Sequence, residues 1–171
     1  QIIDVSDPDN PALIETLDTS GLAISVTLSA DGNTAYVADY YGGLQIIDVS
    51  DPSNPSRIET LGTSGRAYGV TLSADGNTAY VAGAGSGLQI VDISDSNAPT
   101  LIGGFNTSGS AFGVTLSADG NTAYVADGSS GLQIIDVTDS AAPAPISTVP
   151  SSGTASGVTL SVDGNTAYVA D

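Results

Sequence analysis

The sequence repeats itself four times with a period of 44 residues. The copies begin at Gln1, Gln45, Gln89 and Gln133, and each opens with Gln-Ile-(Ile/Val)-Asp. The last copy stops after 39 residues, at Asp171, so we expect the chain to be a mature or excised piece of a longer protein. A period of this length indicates an array of small units, none of which can bury its apolar face alone.

The local pattern within one repeat predicts four β-strands and no helix. The first two strands flank Ala30-Asp31-Gly32-Asn33, a turn sequence typical of a hairpin. A proline-rich corner at residues 50–55 separates the third strand from a weaker fourth strand. The strands are predicted over residues 23–29, 34–38, 44–49 and 57–61.

The faces of these strands favour one all-β architecture. Tyr36-Val37-Ala38 and Ile46-Ile47 are apolar on both sides of the pleat, so both faces of the sheet must be covered. We therefore predict a single β-propeller repeat region over residues 1–171, made of four-stranded antiparallel blades. A linear β-solenoid is the competing architecture, although solenoid coils usually have shorter repeats.

Two ring sizes are compatible with four blades' worth of sequence. Residues 1–17 pairing with residues 157–171 would close a four-bladed ring and remove both free edges. Steeply diverging blades, however, need bulky side chains, and the chain has 2 Phe, no Trp and no Met. Small side chains favour a larger ring of six to eight blades, completed by further repeats or by two halves pairing.

Two segments of each repeat resemble the signature of LVIVD-repeat proteins. They are Leu44-Gln45-Ile46-Ile47-Asp48-Val49-Ser50-Asp51-Pro52 and its counterpart at residues 87–95, and the stretch Asn33 to Asp39 is similar to one in YVTN-type surface-layer propellers. The resemblance covers the whole chain. It implies a β-propeller of a secreted or cell-surface prokaryotic protein, mostly without a defined catalytic activity, and it supplies no functional residues.

Charge and composition exclude several classes of binding partner and of catalytic chemistry. The chain has 19 acidic residues against Arg57 and Arg66, with no Lys and no His, for a net charge of −17. We expect no nucleic-acid partner, because phosphate binding needs clustered Lys or Arg. No apolar run approaches the length of a membrane helix, so no membrane insertion is expected. Without Cys or His, thiolate chemistry, cysteine-ligated zinc and the commonest general base are excluded.

Most acidic residues have a structural explanation. Asp31 and its three equivalents precede Gly-Asn and are read as turn formers, and Tyr36 and its equivalents are read as core residues. A calcium site is a candidate at Asp4, Asp7 and Asp9, because their carboxylate oxygens lie around the turn that follows the first Gln-Ile-Ile-Asp segment. No other cofactor is expected. No acid stands apart from the repeat pattern, so we expect no enzyme.

The four copies differ mainly in two loops, which the propeller topology places on one face. Aromatic residues and arginine, which interface centres favour, concentrate there, so this face is the candidate binding surface. Its candidate residues are Tyr40, Tyr41, Arg66, Tyr68 and Phe112.

Two functional hypotheses follow from these predictions. The first is a non-catalytic extracellular or cell-surface module that binds a protein or a glycan through the variable face. The second is a structural or assembly module whose blades self-associate by strand addition at open edges.

Overall fold

The computed structural model describes residues 1–171, which form sixteen β-strands and no helix able to cross a bilayer. In chain order the strands are β1 (Ile2–Asp4), β2 (Ala12–Glu15), β3 (Ser25–Leu28), β4 (Thr34–Ala38), β5 (Leu44–Asp48), β6 (Ser56–Leu61), β7 (Gly69–Leu72), β8 (Thr78–Ala82), β9 (Leu88–Asp92), β10 (Thr100–Phe105), β11 (Gly113–Leu116), β12 (Thr122–Ala126), β13 (Leu132–Asp136), β14 (Ala144–Val149), β15 (Gly157–Leu160) and β16 (Ala167–Ala170).

The strands form three complete blades and two half-blades. Strands β3–β6, β7–β10 and β11–β14 each make a four-stranded antiparallel sheet in sequence order, which we call the first, second and third blades. Strands β1–β2 and β15–β16 form two-stranded sheets at the ends. The predicted propeller blades are confirmed, because each hairpin and each Gly-Leu-Gln-Ile strand lies where its sequence indicated.

Both faces of the second blade are buried against a neighbour, as the sequence predicted. Alternate residues of β8 point in opposite directions: Ala79 and Val81 lie in the core shared with the first blade. Tyr80 and Ala82 lie in the core shared with the third blade. All four are at most 3% exposed. The period of two in a strand therefore supplies one row of side chains to each interblade core.

The repeated tyrosines and turn aspartates have the structural roles expected of them. Tyr36 is 3% exposed, and its hydroxyl lies 3.4 Å from Ser96 Oγ in the next blade. In the hairpin turn, Asp31 accepts hydrogen bonds from Ser29 Oγ at 2.6 Å and from Asn33 N at 3.1 Å. These bonds, the Ser29 bond most of all, lower the pKa of Asp31, because they stabilise the carboxylate.

The array of blades is open in this structure. Strand β1 pairs only with β2, and β16 pairs only with β15, so the two half-blades do not join to close a four-bladed ring. Strand β3, the first strand of the first blade, therefore has a face that no neighbouring blade covers. Val26 on this strand is 63% exposed, whereas its equivalent Val70 in the second blade is 8% exposed.

This difference predicts unequal costs for two equivalent substitutions in the 171-residue chain. Val70→Ala is expected to lower the free energy of unfolding by about 1.5–3 kcal/mol, because it removes buried methyl groups and leaves a cavity. Val26→Ala is expected to cost under about 0.5 kcal/mol, as exposed substitutions usually do. Urea denaturation of both variants measures the difference. Equal costs would show that Val26 is covered and that the array is closed.

Candidate binding face

The two variable loops of neighbouring blades are joined by backbone hydrogen bonds. The loop between β4 and β5 meets the linker that leads into β7, where Tyr40 and Ala67 exchange two bonds of 2.9 and 3.0 Å. Equivalent bridges follow at Ala84 with Ala111 and at Gly128 with Ala155. The loops and linkers therefore form one continuous surface, which we call the loop face.

Four aromatic rings make a row across the loop face, which we call the aromatic ridge. Tyr41 packs edge-to-face on Tyr40, with ring centroids 4.4 Å apart. Tyr40 packs in the same way on Tyr68 at 5.3 Å, and Tyr68 packs on Phe112 at 4.9 Å. The rings come from loops and linkers of three consecutive blades. The structure thus brings together the candidate residues that the sequence placed on one face.

Arg66 extends the ridge with a positive charge. Its guanidinium carbon lies 5.2 Å from the centroid of Tyr40 and 5.0 Å from that of Tyr41, within the range of a cation–π contact. Tyr41 is 73% exposed. The adjacent Tyr68 side chain raises the pKa of Tyr40 above its ordinary value, so this phenol remains neutral at physiological pH. The ridge therefore offers apolar rings, phenolic hydroxyls and one cation to solvent.

Tyr40 is held in a backbone conformation that suits glycine better. Its φ is 52°, and the equivalent positions Ala84 and Gly128 have φ of 50° and 57°. A side chain in this left-handed region costs about 1–2 kcal/mol, and only the third blade avoids the cost by using glycine. The loop geometry thus does not require a tyrosine at residue 40.

In the first blade a buried carboxylate fastens the incoming linker to the loop between β4 and β5. Asp39 is fully buried. It accepts hydrogen bonds from Thr19 Oγ1 at 2.6 Å, Gly21 N at 2.8 Å and Gln45 Nε2 at 3.2 Å. Gln45 Oε1 in turn accepts a bond of 2.6 Å from Thr60 Oγ1. We call this arrangement of carboxylate, linker and glutamine the linker clamp.

The bonds from carboxylate to linker recur in the third blade and in the last half-blade, although only Asp39 also accepts a bond from a glutamine side chain. Asp127, also fully buried, accepts bonds from Thr107 Oγ1 and from Gly109 N, the latter at 2.8 Å. Asp171 accepts a bond of 2.9 Å from Gly153 N. The sequence analysis did not identify these aspartates as anchors of the linkers. Their partners lie 18 to 20 residues earlier in the chain, so inspection of one repeat alone does not reveal the clamp.

The second blade lacks the clamp. Gly83 stands where the other repeats have aspartate, and Gly104 stands where Thr60 and Thr148 bind the glutamine of their own blades. Gln89, which is 4% exposed, accepts one bond of 3.2 Å from Ser64 N. Its Nε2 is buried without a hydrogen-bond partner.

The proposed calcium ligands are not gathered into a site. No group of three or more acidic side chains is placed to hold a metal ion. Asp4 accepts a bond of 2.9 Å from Ser6 N, which lowers its pKa, and Asp7 accepts one of 3.2 Å from Asp9 N. These aspartates cap their own exposed turns, as Asp residues near proline often do.

A protein-family model named LVIVD repeat matches the chain four times, over residues 1–19, 20–63, 64–107 and 108–149. The chain belongs to the LVIVD-repeat family. The last three matches begin 44 residues apart, at residues 20, 64 and 108, within the linkers rather than at the third strand. Among curated proteins, none matches this sequence.

Solved structures share the fold of this LVIVD-repeat protein at low sequence identity. A proposed 6-phosphogluconolactonase from Bacteroides uniformis aligns with a TM-score of 0.83 at 17% identity, covering 98% of this chain and 56% of that chain. A protein of unknown function from Desulfotomaculum acetoxidans aligns with a TM-score of 0.78 at 20% identity, covering 98% of this chain and 54% of that chain. Kuenenia stuttgartiensis hydrazine synthase aligns with a TM-score of 0.74 at 21% identity, covering 91% of this chain and 44% of that chain. The LVIVD-repeat protein thus spans about half of each of these chains.

The linker clamp predicts a stability effect that is specific to the first and third blades. Asp127→Gly in the LVIVD-repeat protein is expected to lower the free energy of unfolding by about 1–3 kcal/mol, because buried donors lose a charged acceptor. Asp139→Gly, in an exposed corner, serves as the control and should cost less. Thermal unfolding measures both variants. If the two variants unfolded at the same temperature, the clamp would have no role in stability.

Proposed function

We propose that this LVIVD-repeat protein is a non-catalytic extracellular or cell-surface module that binds a protein or a glycan through the aromatic ridge. The observation that carries this proposal is the row of four rings on the loop face, with Arg66 over two of them. Tyrosine and arginine supply a large share of the binding energy in protein interfaces, and exposed aromatic planes suit the apolar faces of sugars.

Differences among the repeats support a binding role for the ridge. Tyr68 and Phe112 are replaced by Ile24 and Ser156 in the other two repeats. The alanine that precedes this position is fully buried in three of the four repeats, as Ala67, Ala111 and Ala155. The backbone of these linkers is thus similar from repeat to repeat, whereas the side chains that it exposes on the loop face differ. Non-glycine residues in strained conformations are frequent at functional sites, and Tyr40 is one of them.

The net charge of the chain limits the classes of ligand that the loop face can bind. Apart from Arg66 the loop face carries no cationic side chain, because Arg57 lies in β6 and the chain has no lysine. A surface with a net charge of −17 repels polyanions, so we propose neutral glycans or protein surfaces as ligands rather than nucleic acid.

A second candidate function is assembly by strand addition. One edge of β1 and one edge of β16 are unpaired, and Ile3 and Tyr168 on these strands are 49% and 61% exposed. In complete blades the equivalent residues Ile47 and Tyr36 are buried. Light scattering over a range of concentrations tests this candidate: a growing mass supports it, and a constant monomer mass contradicts it.

The recognition proposal predicts that binding is lost when the ridge is truncated. A panel of oligosaccharides and secreted proteins would be screened by tyrosine fluorescence, which suits a chain without tryptophan. Tyr41→Ala and Tyr68→Ala are each expected to weaken binding about 30-fold, the effect of losing about 2 kcal/mol at an interface hot spot. Thermal stability should change little for the exposed Tyr41.

Tyr168→Ala is the matched control, since it removes a tyrosine that is 61% exposed outside the ridge. It should leave the dissociation constant unchanged. If both ridge variants bound every ligand as tightly as the unmodified chain, or if Tyr168→Ala alone lost binding, the ridge would not be the binding surface.

A further inference from the structure

The groove beside the first blade is an interblade core that lacks part of its side chains. It has a volume of about 510 Å³, and its lining includes Ile2, Val26, Ala35, Val37 and Ile47. Their counterparts 44 residues later are all buried in the core between the first and second blades: Ile46, Val70, Ala79, Val81 and Val91. That complete core also contains Tyr36 and Ala38 of β4. No strand of the chain supplies their equivalents beside β1.

The missing side chains are present at the other end of the chain, on β16. Tyr168 and Ala170 are the counterparts of Tyr36 and Ala38 in the last repeat. Tyr168 is 61% exposed, whereas Tyr36 is 3% exposed. In the same way Ile3 of β1 is 49% exposed, whereas its counterpart Ile47 is 6% exposed. Each half-blade therefore exposes apolar residues that a complete blade buries.

The parts of a linker clamp are divided between the same two half-blades. Asp171 accepts a bond from Gly153 N of its incoming linker but none from a glutamine. Gln1, the counterpart of Gln45, immediately precedes β1 and is exposed. In the first blade Gln45 Nε2 donates to Asp39 at 3.2 Å. Joining the two half-blades would place Gln1 beside Asp171 and complete the clamp.

We propose that two copies of this chain join head to tail into one closed ring, in which β16 of each copy pairs with β1 of the other. This inference rests on strand addition, the second candidate function described above, and it names the partner and the register. In β4 and β5, Tyr36 pairs with Ile46. By the same register Tyr168 pairs with Ile2 of the second copy, and each junction is a four-stranded blade.

Two observations favour a second copy over closure of a single chain. Within one chain β1 pairs only with β2 and β16 only with β15, so a four-bladed ring does not form. The chain also superposes on about half the length of the three solved structures described above, as half of a larger ring is expected to do. A head-to-tail contact gives a ring when its rotation closes and an open filament when it does not. The ring leaves no free strand edge.

Light scattering over a range of concentrations is the first test. About 0.5 M sodium chloride is present, because two chains of net charge −17 repel each other and salt screens that repulsion. The mass is expected to rise to that of two chains and to stop there. Continued growth would overturn the ring but leave strand addition standing, and a constant monomer mass would overturn both. The cost given above for Val26→Ala applies to the separate chain, because the dimer covers Val26.

A pair of charge substitutions tests which surface forms the dimer. Ile3→Asp is expected to raise the dissociation constant of the dimer at least about 100-fold, because the junction would bury an unpaired carboxylate. Leu13→Asp is the matched control. Leu13 is 60% exposed on β2, and its counterparts Arg57 and Leu101 stay exposed in complete blades, so this variant should dimerise normally. Normal dimerisation of Ile3→Asp, or its loss in Leu13→Asp alone, would overturn the assigned junction.

A disulfide cross-link tests the register, since the chain has no cysteine. Asp4 and Thr166 are the counterparts of Asp48 and Thr34, which pair in β5 and β4. Directly opposite residues of antiparallel strands have Cα atoms about 4.5–5.5 Å apart, within the reach of a disulfide. Mild oxidation of Asp4→Cys/Thr166→Cys should therefore link two copies covalently, while Asp4→Cys/Thr159→Cys, with Thr159 one strand farther away on β15, should not cross-link. A cross-link within one chain, or none at all, would contradict the proposal.

Discussion

A buried carboxylate that holds the incoming linker of the first and third blades is the interaction on which the loop face depends. Blades stack because both faces of each sheet are apolar, and Tyr80 and Val81, adjacent in β8, serve different cores. Stacking alone leaves the connecting segments free to move. Asp39 and Asp127 remove that freedom by binding the threonine hydroxyl and the glycine N–H of the incoming linker.

The clamps and the bridges together explain how the protein presents variable residues on a fixed frame. Each linker between complete blades is bonded to the preceding blade through an alanine, as Ala67 is to Tyr40. In the first and third blades the linker is also bonded to the blade that it enters. Arg66 and Tyr68 flank the bridging alanine and project outward, so their side chains can differ among repeats without disturbing the backbone.

Much of the fold was predictable from the sequence, because the period and the two apolar faces of the strands are local properties. The hairpin turn at Asp31 and the strands around Tyr36 and Ile46 lie where expected. The aromatic ridge was predictable as a shared face, since the topology brings the two variable loops together. Its edge-to-face packing depends on ring orientations that no sequence pattern specifies.

The clamps were harder to predict, because their partners are distant in sequence and their roles appear only in three dimensions. One clue was present: Gly83 and Gly104 both depart from the repeat pattern in the same copy, and both positions contact the same glutamine elsewhere. The calcium interpretation of Asp4, Asp7 and Asp9 counted oxygens without their geometry. Each turn uses its carboxylates to bind its own backbone.

The central claim is that buried carboxylates hold the linkers of the first and third blades and that the second blade lacks this support. Hydrogen exchange of individual backbone amides tests it most directly, since exchange is slowed where an N–H is bonded and protected from water. The account predicts slow exchange at Gly21 and Gly109, whose N–H groups donate to Asp39 and Asp127, and markedly faster exchange at Gly65. Equal protection of all three amides would contradict it.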